Sequence, residues 1–157
     1  MSRFLFERRE LYAPGHYGNS YEILGRFEIR EILEEAKFWG FNWYGDWFDT
    51  LNLTKESHLS DTLSYCWLTK AIWENKKIHF KEAQRLGFRI NLLITPNHVF
   101  ADQCEKNLLA EQPAGIQGHL ICPSIPEARQ IILTNYQIWF KYLKENGINI
   151  DSLTALP

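Results

Sequence analysis

Residues 32–49, ILEEAKFWGFNWYGDWFD, begin with helical spacing and end as a short aromatic run carrying two acids, and the pattern changes at Gly40. The same change recurs at Gly87 in KEAQRLGFRINLLI (81–94) and at Gly147 in KYLKENGINIDSL (141–153). With the glycines aligned, each stretch is a polar helical segment, Gly, one apolar residue, one polar residue, then a β-prone run. Glycine accepts the left-handed conformation that closes many helices, and the residue after it turns back onto the last helical turn. Phe41, Phe88 and Ile148 stand at that position. Before the glycines, Ile29, Ile32, Leu33 and Ala36 recur at three- and four-residue spacing. Ile72, Ile78, Ala83 and Leu86 do so more loosely, and Ile132, Tyr136, Trp139 and Leu143 form a third set. After the glycines, FNWYGDWF, FRINLLITP and INIDSLTALP are short and apolar enough for buried strands of a parallel sheet. The chain therefore repeats a helix-then-strand unit.

Extending this unit in both directions gives βαβαβαβ. A first strand lies within 3–13, and PGHYGN (14–19) is a turn-rich loop. A helix is predicted near 28–39, a strand at 41–48, a helix from about 69 to 86, a strand at 88–95, a helix at 126–146 and a last strand at 148–156. Such alternation makes a mostly parallel sheet with right-handed crossovers. Two architectures compete, an open doubly wound sheet and part of a (β/α)8 barrel. The open sheet would carry a phosphate-binding glycine loop after its first strand, and PGHYGN is neither GxGxxG nor a Walker loop. The expected fold class is thus α/β, with parallel βα repeats forming the first half of a (β/α)8 barrel. A full barrel takes about 250 residues. The single domain expected over 1–157 is accordingly incomplete at its C-terminus, as a fragment or as a half-barrel that must pair.

Composition narrows the function. The 157 residues are 45% hydrophobic, enough for one sizeable core, and the net charge of −2 offers no basic field for nucleic acid. No apolar stretch approaches the roughly 20 residues that span a bilayer, and MSRFLFERRELY places charges where a signal peptide needs an apolar core. No membrane association and a cytoplasmic location are expected. Cys66, Cys104 and Cys122 are widely spaced with no CxxC pair, which reads as reduced packing cysteines rather than a disulfide framework or zinc site.

Barrel active sites are built from the loops after the strands. Those positions hold Tyr12, His16 and Tyr17 after the first strand, Asp46, Trp47 and Asp49 after the second, and Thr95, Asn97 and His98 after the third. A long excursion follows with His119, Cys122 and Ser124. The connections at 49–68 and 97–125 far exceed the usual two to six or so residues, as pocket-shaping loops do. Rings beside carboxylates and amides suit a sugar: the ring stacks on the apolar side of a pyranose while the polar groups bind its hydroxyls. The expected substrate-binding residues are His16, Tyr17, Asp46, Trp47, Asp49, Asn97, His98 and His119.

IREILEEAKFWGFNWYGDWFD (29–49) resembles the first helix and second strand of glycoside-hydrolase-type barrels, and KKIHFKEAQRLGFRINLLITPNHVF (76–100) is similar to their second helix and third strand. LICPSIPEARQIILTNYQIWFKYL (120–143) resembles the segment of hexosaminidase-like barrels that opens the helix before the fourth strand. The resemblance covers the chain from about residue 26 onward and implies a carbohydrate ligand. In many such barrels an acid follows strand four and serves as general acid. Here the sequence stops at Ala155, Leu156 and Pro157, so the catalytic acids are expected beyond residue 157 and this chain alone is expected to be inactive. The alternative is a non-catalytic half-barrel that oligomerises and binds a sugar or another small polar ligand. Partners would then be a carbohydrate and either a second copy or a missing C-terminal half-barrel.

Each candidate also has a structural reading. Asp46 and Asp49 fit caps of the next turn, and most of Trp43, Tyr44, Trp47 and Phe48 fit core. Asn97 and His98 fit hydrogen bonds to a neighbouring loop. His16, His98, His119 and Asp46 lack any known metal spacing, so no metal or cofactor is expected. His58 and His79 read as loop and helix-surface residues. Ser124 with Glu127 reads as a capping box, with Pro126 in the first turn.

Overall fold

Gly40, Gly87 and Gly147 have φ of +91°, +81° and +70°, the left-handed conformation that the sequence repeat requires. In the computed structural model of the chain, residues 4–13, 23–47, 65–94, 106–108, 110 and 121–155 are described. The first two glycines close paired C-terminal motifs. The Phe41 N–H donates to the Ala36 carbonyl and Gly40 N–H to Lys37; likewise Phe88 N–H donates to Ala83 and Gly87 N–H to Gln84. One local rule, used three times, ends a helix and aims the chain into a strand.

The elements are β1 (Glu10–Ala13), α1 (Arg26–Phe38), β2 (Trp43–Trp47), α2 (Tyr65–Arg85), β3 (Arg89–Ile94), α3 (Pro126–Glu145) and β4 (Ser152–Ala155), with a 3-10 turn at Lys106–Leu108. The sheet has the order β1-β2-β3-β4. β1 pairs with β2 and β2 with β3 in parallel, in a register that aligns Glu10 with Trp43 and Trp43 with Arg89. Four strands in sequential order with helical crossovers are the parallel βα repeats of the first half of a (β/α)8 barrel.

The last strand starts at Ser152 rather than near 148. Ile148 is buried at the post-glycine position, and Asp151 ties the chain to β3 before pairing begins. Its N–H donates to the Ile90 carbonyl while its carboxylate accepts the Ile90 N–H. At the start of α3, Pro126 holds the first helical position, but the Ile125 carbonyl accepts the Arg129 N–H. Ile125 therefore occupies the cap, and the capping box expected of Ser124 and Glu127 is out of register by one residue.

Two compact units divide the chain, one of residues 1–48, 72–93 and 146–154, the other of residues 49–71, 94–145 and 155–157. The first holds nearly the whole sheet. Ile29, Leu33 and Ala36 of α1, Phe80 and Ala83 of α2, and Tyr44, Ile90 and Leu92 of the strands are buried in it. β3 is buried on both faces except at Arg89, as a central parallel strand should be. In the second unit Leu108, Ile121 and Ala128 form an apolar cluster with Ile125, Ile131 and Ile132 against it.

On the sheet face away from the helices the register places Glu10 level with Arg89, and the Asn91 amide, two residues further along β3, donates to Glu10 Oε1 at 2.8 Å.

Candidate functional site

β2 presents its two faces to different surroundings. Tyr44 and Asp46 point to the helices, where the Tyr44 ring meets Phe80 edge-on at 5.8 Å. Tyr44 Oη donates to Asp46 Oδ2 at 2.9 Å and Lys76 Nζ donates to Asp46 Oδ1 at 3.1 Å. Asp46 and Lys76 are each 1% exposed. Burial pushes the Asp46 carboxyl above the usual carboxylate range, opposed by the Lys76 charge and the Tyr44 hydroxyl. Asp46 thus sits in a dry ion pair on the helix side, a surrounding unlike the open strand mouth expected of it.

His79 joins this cluster, and here the sequence reading is corrected: it lies buried rather than on the helix surface. Its Nε2 lies 2.8 Å from the Leu24 carbonyl, so Nε2 carries the hydrogen and donates. Nδ1 is buried and has no hydrogen-bond partner among the described residues. Burial lowers the His79 pKa, against the Leu24 carbonyl and the Asp46 charge, which favour its cation. One turn on, Glu82 of α2 joins the two helices through Arg26 and Arg30 of α1 at 3.4 and 3.2 Å, and Arg85 of its own helix adds a third guanidinium at 2.9 Å. Burial raises its pKa, but the guanidiniums outweigh this and hold it below the ordinary value.

The opposite face carries a polar layer. Glu10 on β1 accepts from Arg8 Nε at 2.8 Å and from Asn91 on β3, and Thr154 Oγ1 on β4 donates to Asn91 Oδ1 at 3.1 Å. Gly45 on β2 makes room for this chain, because a Cβ there would collide with the Glu10 carboxylate. Arg8 also reaches Ser152 on β4 at 3.5 Å and lies over Trp43, 4.3 Å from the ring centroid. Barrel interiors are usually filled by bulky branched residues. This one is lined by a carboxylate, an amide and a hydroxyl, which suits a polar ligand.

Glu10, Asn91 and Lys76 were missed as candidates from the sequence. Asn91 had a signal, since it interrupts the apolar run IleAsnLeuLeuIle at an inward position. Glu10 had another, the period-two alternation of Arg8, Glu10 and Tyr12. Lys76 had none, because a lysine on a helix is ordinarily at the surface. Among the predicted residues, Trp47 ends β2, while His16, Tyr17, Asp49, Asn97, His98 and His119 lie outside the described residues. Glycoside hydrolysis needs two carboxylates about 5 to 9.5 Å apart on one substrate. Glu10 and Asp46 are on opposite faces of the sheet and cannot form that pair. No group of three or more potential metal ligands occurs among the described residues.

An open cleft of about 370 Å³ is lined by Glu7, Arg8, Asn42, Trp43, Gly87 and Arg89. These residues precede or begin the strands. In parallel barrels the chemistry sits at the other, carboxyl end, at the positions after β1, β2 and β3.

No protein-family model matches the chain, and no curated protein sequence does. Among solved structures it is similar to a noncanonic maltogenic alpha-amylase, AmyB, from Thermotoga neapolitana, with a TM-score of 0.50 and 15% identity. The likeness covers 82% of this chain and 33% of that one. The chain therefore spans about a third of the length of the structure it matches. At this identity the likeness is one of fold, a glycoside-hydrolase-like α/β arrangement.

Proposed function

We propose that the chain is the N-terminal half of a carbohydrate-active (β/α)8 barrel, contributing sugar contacts at the carboxyl ends of its strands. The observation that carries this reading is the polar inner layer of Glu10, Asn91 and Thr154 in a sheet whose fold matches a maltogenic alpha-amylase. An interior of this kind binds hydroxyls where an aliphatic one would only fill space. Trp47 at the end of β2 supplies a stacking ring, and His16, Tyr17, Asp49, Asn97, His98 and His119 supply polar contacts. Asp46 anchors the strand that carries Trp47 through Lys76 and Tyr44. The catalytic acid and its partner lie in further βα units, so this chain binds without cleaving.

The test is titration of the chain with maltotriose, followed by calorimetry and by tryptophan fluorescence. The reading expects binding that Trp47→Ala and His98→Ala each weaken at least about tenfold, roughly 1.4 kcal/mol, with the melting temperature within a few degrees of wild type. It also expects no release of a chromogenic leaving group. Turnover by the chain alone, or binding indifferent to both substitutions, would overturn it.

A further inference from the structure

From the buried cluster on α2, we infer that His79 is a pH-operated latch, which fastens the segment entering α1 to α2 when neutral and lets it go in acid. The imidazole is fully buried, and its Nε2 donates to the Leu24 carbonyl at 2.8 Å. Leu24 stands directly before Gly25, the cap of α1, which has no side chain to fasten that end itself. Nδ1 is buried too and has no hydrogen-bond partner among the described residues. One ring nitrogen thus holds the chain, and the other is where an added proton must go.

A proton on Nδ1 would be a buried N–H with no acceptor, carrying a charge where water does not reach. Lys76, one turn back on the same helix, opposes it as well. Asp46 of β2 favours it, but Asp46 already holds the Lys76 ammonium at 3.1 Å and the Tyr44 hydroxyl at 2.9 Å. Arg26 and Arg30, which α1 turns toward α2, are held with Arg85 by Glu82, one turn further along. Burial is the largest influence and keeps the His79 pKa below 6.5 while the ring stays in place. Water accepts the same cation freely, so the protonated ring is better hydrated outside its pocket. Each pH unit below 6.5 favours the released, charged ring about tenfold, whereas one neutral hydrogen bond is worth about two- to tenfold. The latch therefore opens between about pH 6.5 and 5. Glu82 supplies the contrast, since its guanidiniums keep it ionised through that range and leave α1 joined to α2 when Leu24 is let go. The latch is independent of the sugar-binding reading.

Carbon and nitrogen resonances of the isotope-labelled chain test it, followed from about pH 7.5 to about pH 5. The His79 ring nitrogens should pass from the neutral Nε2–H form to the cation with a midpoint below 6.5. The Leu24 carbonyl carbon and the Gly25 amide should move with the same midpoint, the carbonyl upfield as it loses its donor. The amides of Ile90 and Leu92, buried in β3, should keep their positions. His79→Gln offers Leu24 an N–H that does not titrate, and should abolish the Leu24 and Gly25 transition. The wild-type titration decides the matter even if that variant does not fold. A ring that titrates with Leu24 and Gly25 unmoved, or that does not titrate by about pH 5, would overturn the latch. So would a transition that survives in His79→Gln, or one in which Ile90 and Leu92 move together with Gly25.

Discussion

Gly45 and Asp46 are neighbours on β2, yet they belong to different solvents. Asp46 faces helix α2 in a dry ion pair with Lys76, and Gly45 faces a layer in which Arg8 is 42% exposed and Glu10 20%. The same strand borders charge on one side that water cannot rescue and charge on the other, from Arg8 and Glu10, that water can. What a polar group is worth here depends on the face it occupies more than on the bond it makes.

The largest expected effect lies on the dry side. Lys76→Met leaves Asp46 buried without its cation and should cost about 3 to 5 kcal/mol in urea denaturation. Lys76→Met with Asp46→Leu should recover most of that, because two apolar groups of similar volume remove the desolvation cost together. If the single and double variants are equally unstable, the ion pair is not the source of the loss.

Gly45→Ala comes next. The added methyl displaces the Glu10 carboxylate from Asn91 and should cost about 1 to 3 kcal/mol, and shortening Glu10 to Ala in the same chain should return part of it. The helix-closing glycines sharpen the comparison at about 1 to 2 kcal/mol each, the cost of a left-handed conformation with a Cβ. Gly40→Ala should exceed Gly147→Ala, since a Cβ at Gly40 runs into the Phe4 ring while one at Gly147 meets nothing within 4 Å. At the wet end, Arg8→Ala should change stability by no more than about 1 kcal/mol and less in high salt.

The pH dependence separates the two faces as well. His79 has a folded pKa below its ordinary 6.5, so the unfolded chain takes up the proton first. Its contribution is complete above pH 6.5 and is lost as pH falls through 6.5 toward the folded value. Asp46 acts with the opposite sign, since its folded pKa is raised above 3.8 and its burial is better tolerated in acid. Denaturation at pH 7.5 and 5.5 should therefore show a loss in the wild type that His79→Gln reduces. An unchanged slope in that variant would place the titration elsewhere.

How legible these features were follows from the kind of signal each one sends. The helix closures at Gly40 and Gly87 were legible because a left-handed residue followed by an apolar one is a local rule. The parallel sheet followed from its repetition. The facing of β2 was only half legible: alternation separates Trp43, Gly45 and Trp47 from Tyr44 and Asp46, but does not say which set meets the helices. Asp46 was therefore read as a mouth residue, and its partner Lys76, thirty residues away on a polar helix, gave no local sign. His79 was misread for the same reason, since α2 buries Lys76, His79 and Glu82 on the stripe where apolar spacing was sought. Asn91 could have been found as the polar break in β3.

An amide shift map of the chain titrated with maltotriose distinguishes the two ends of the strands. Sugar contacts at the carboxyl ends should perturb Trp47 and residues 14–17 and 95–98 and leave Glu7, Arg8, Trp43 and Arg89 unmoved. Shifts concentrated in that second group, at the amino ends of the strands, would contradict that placement.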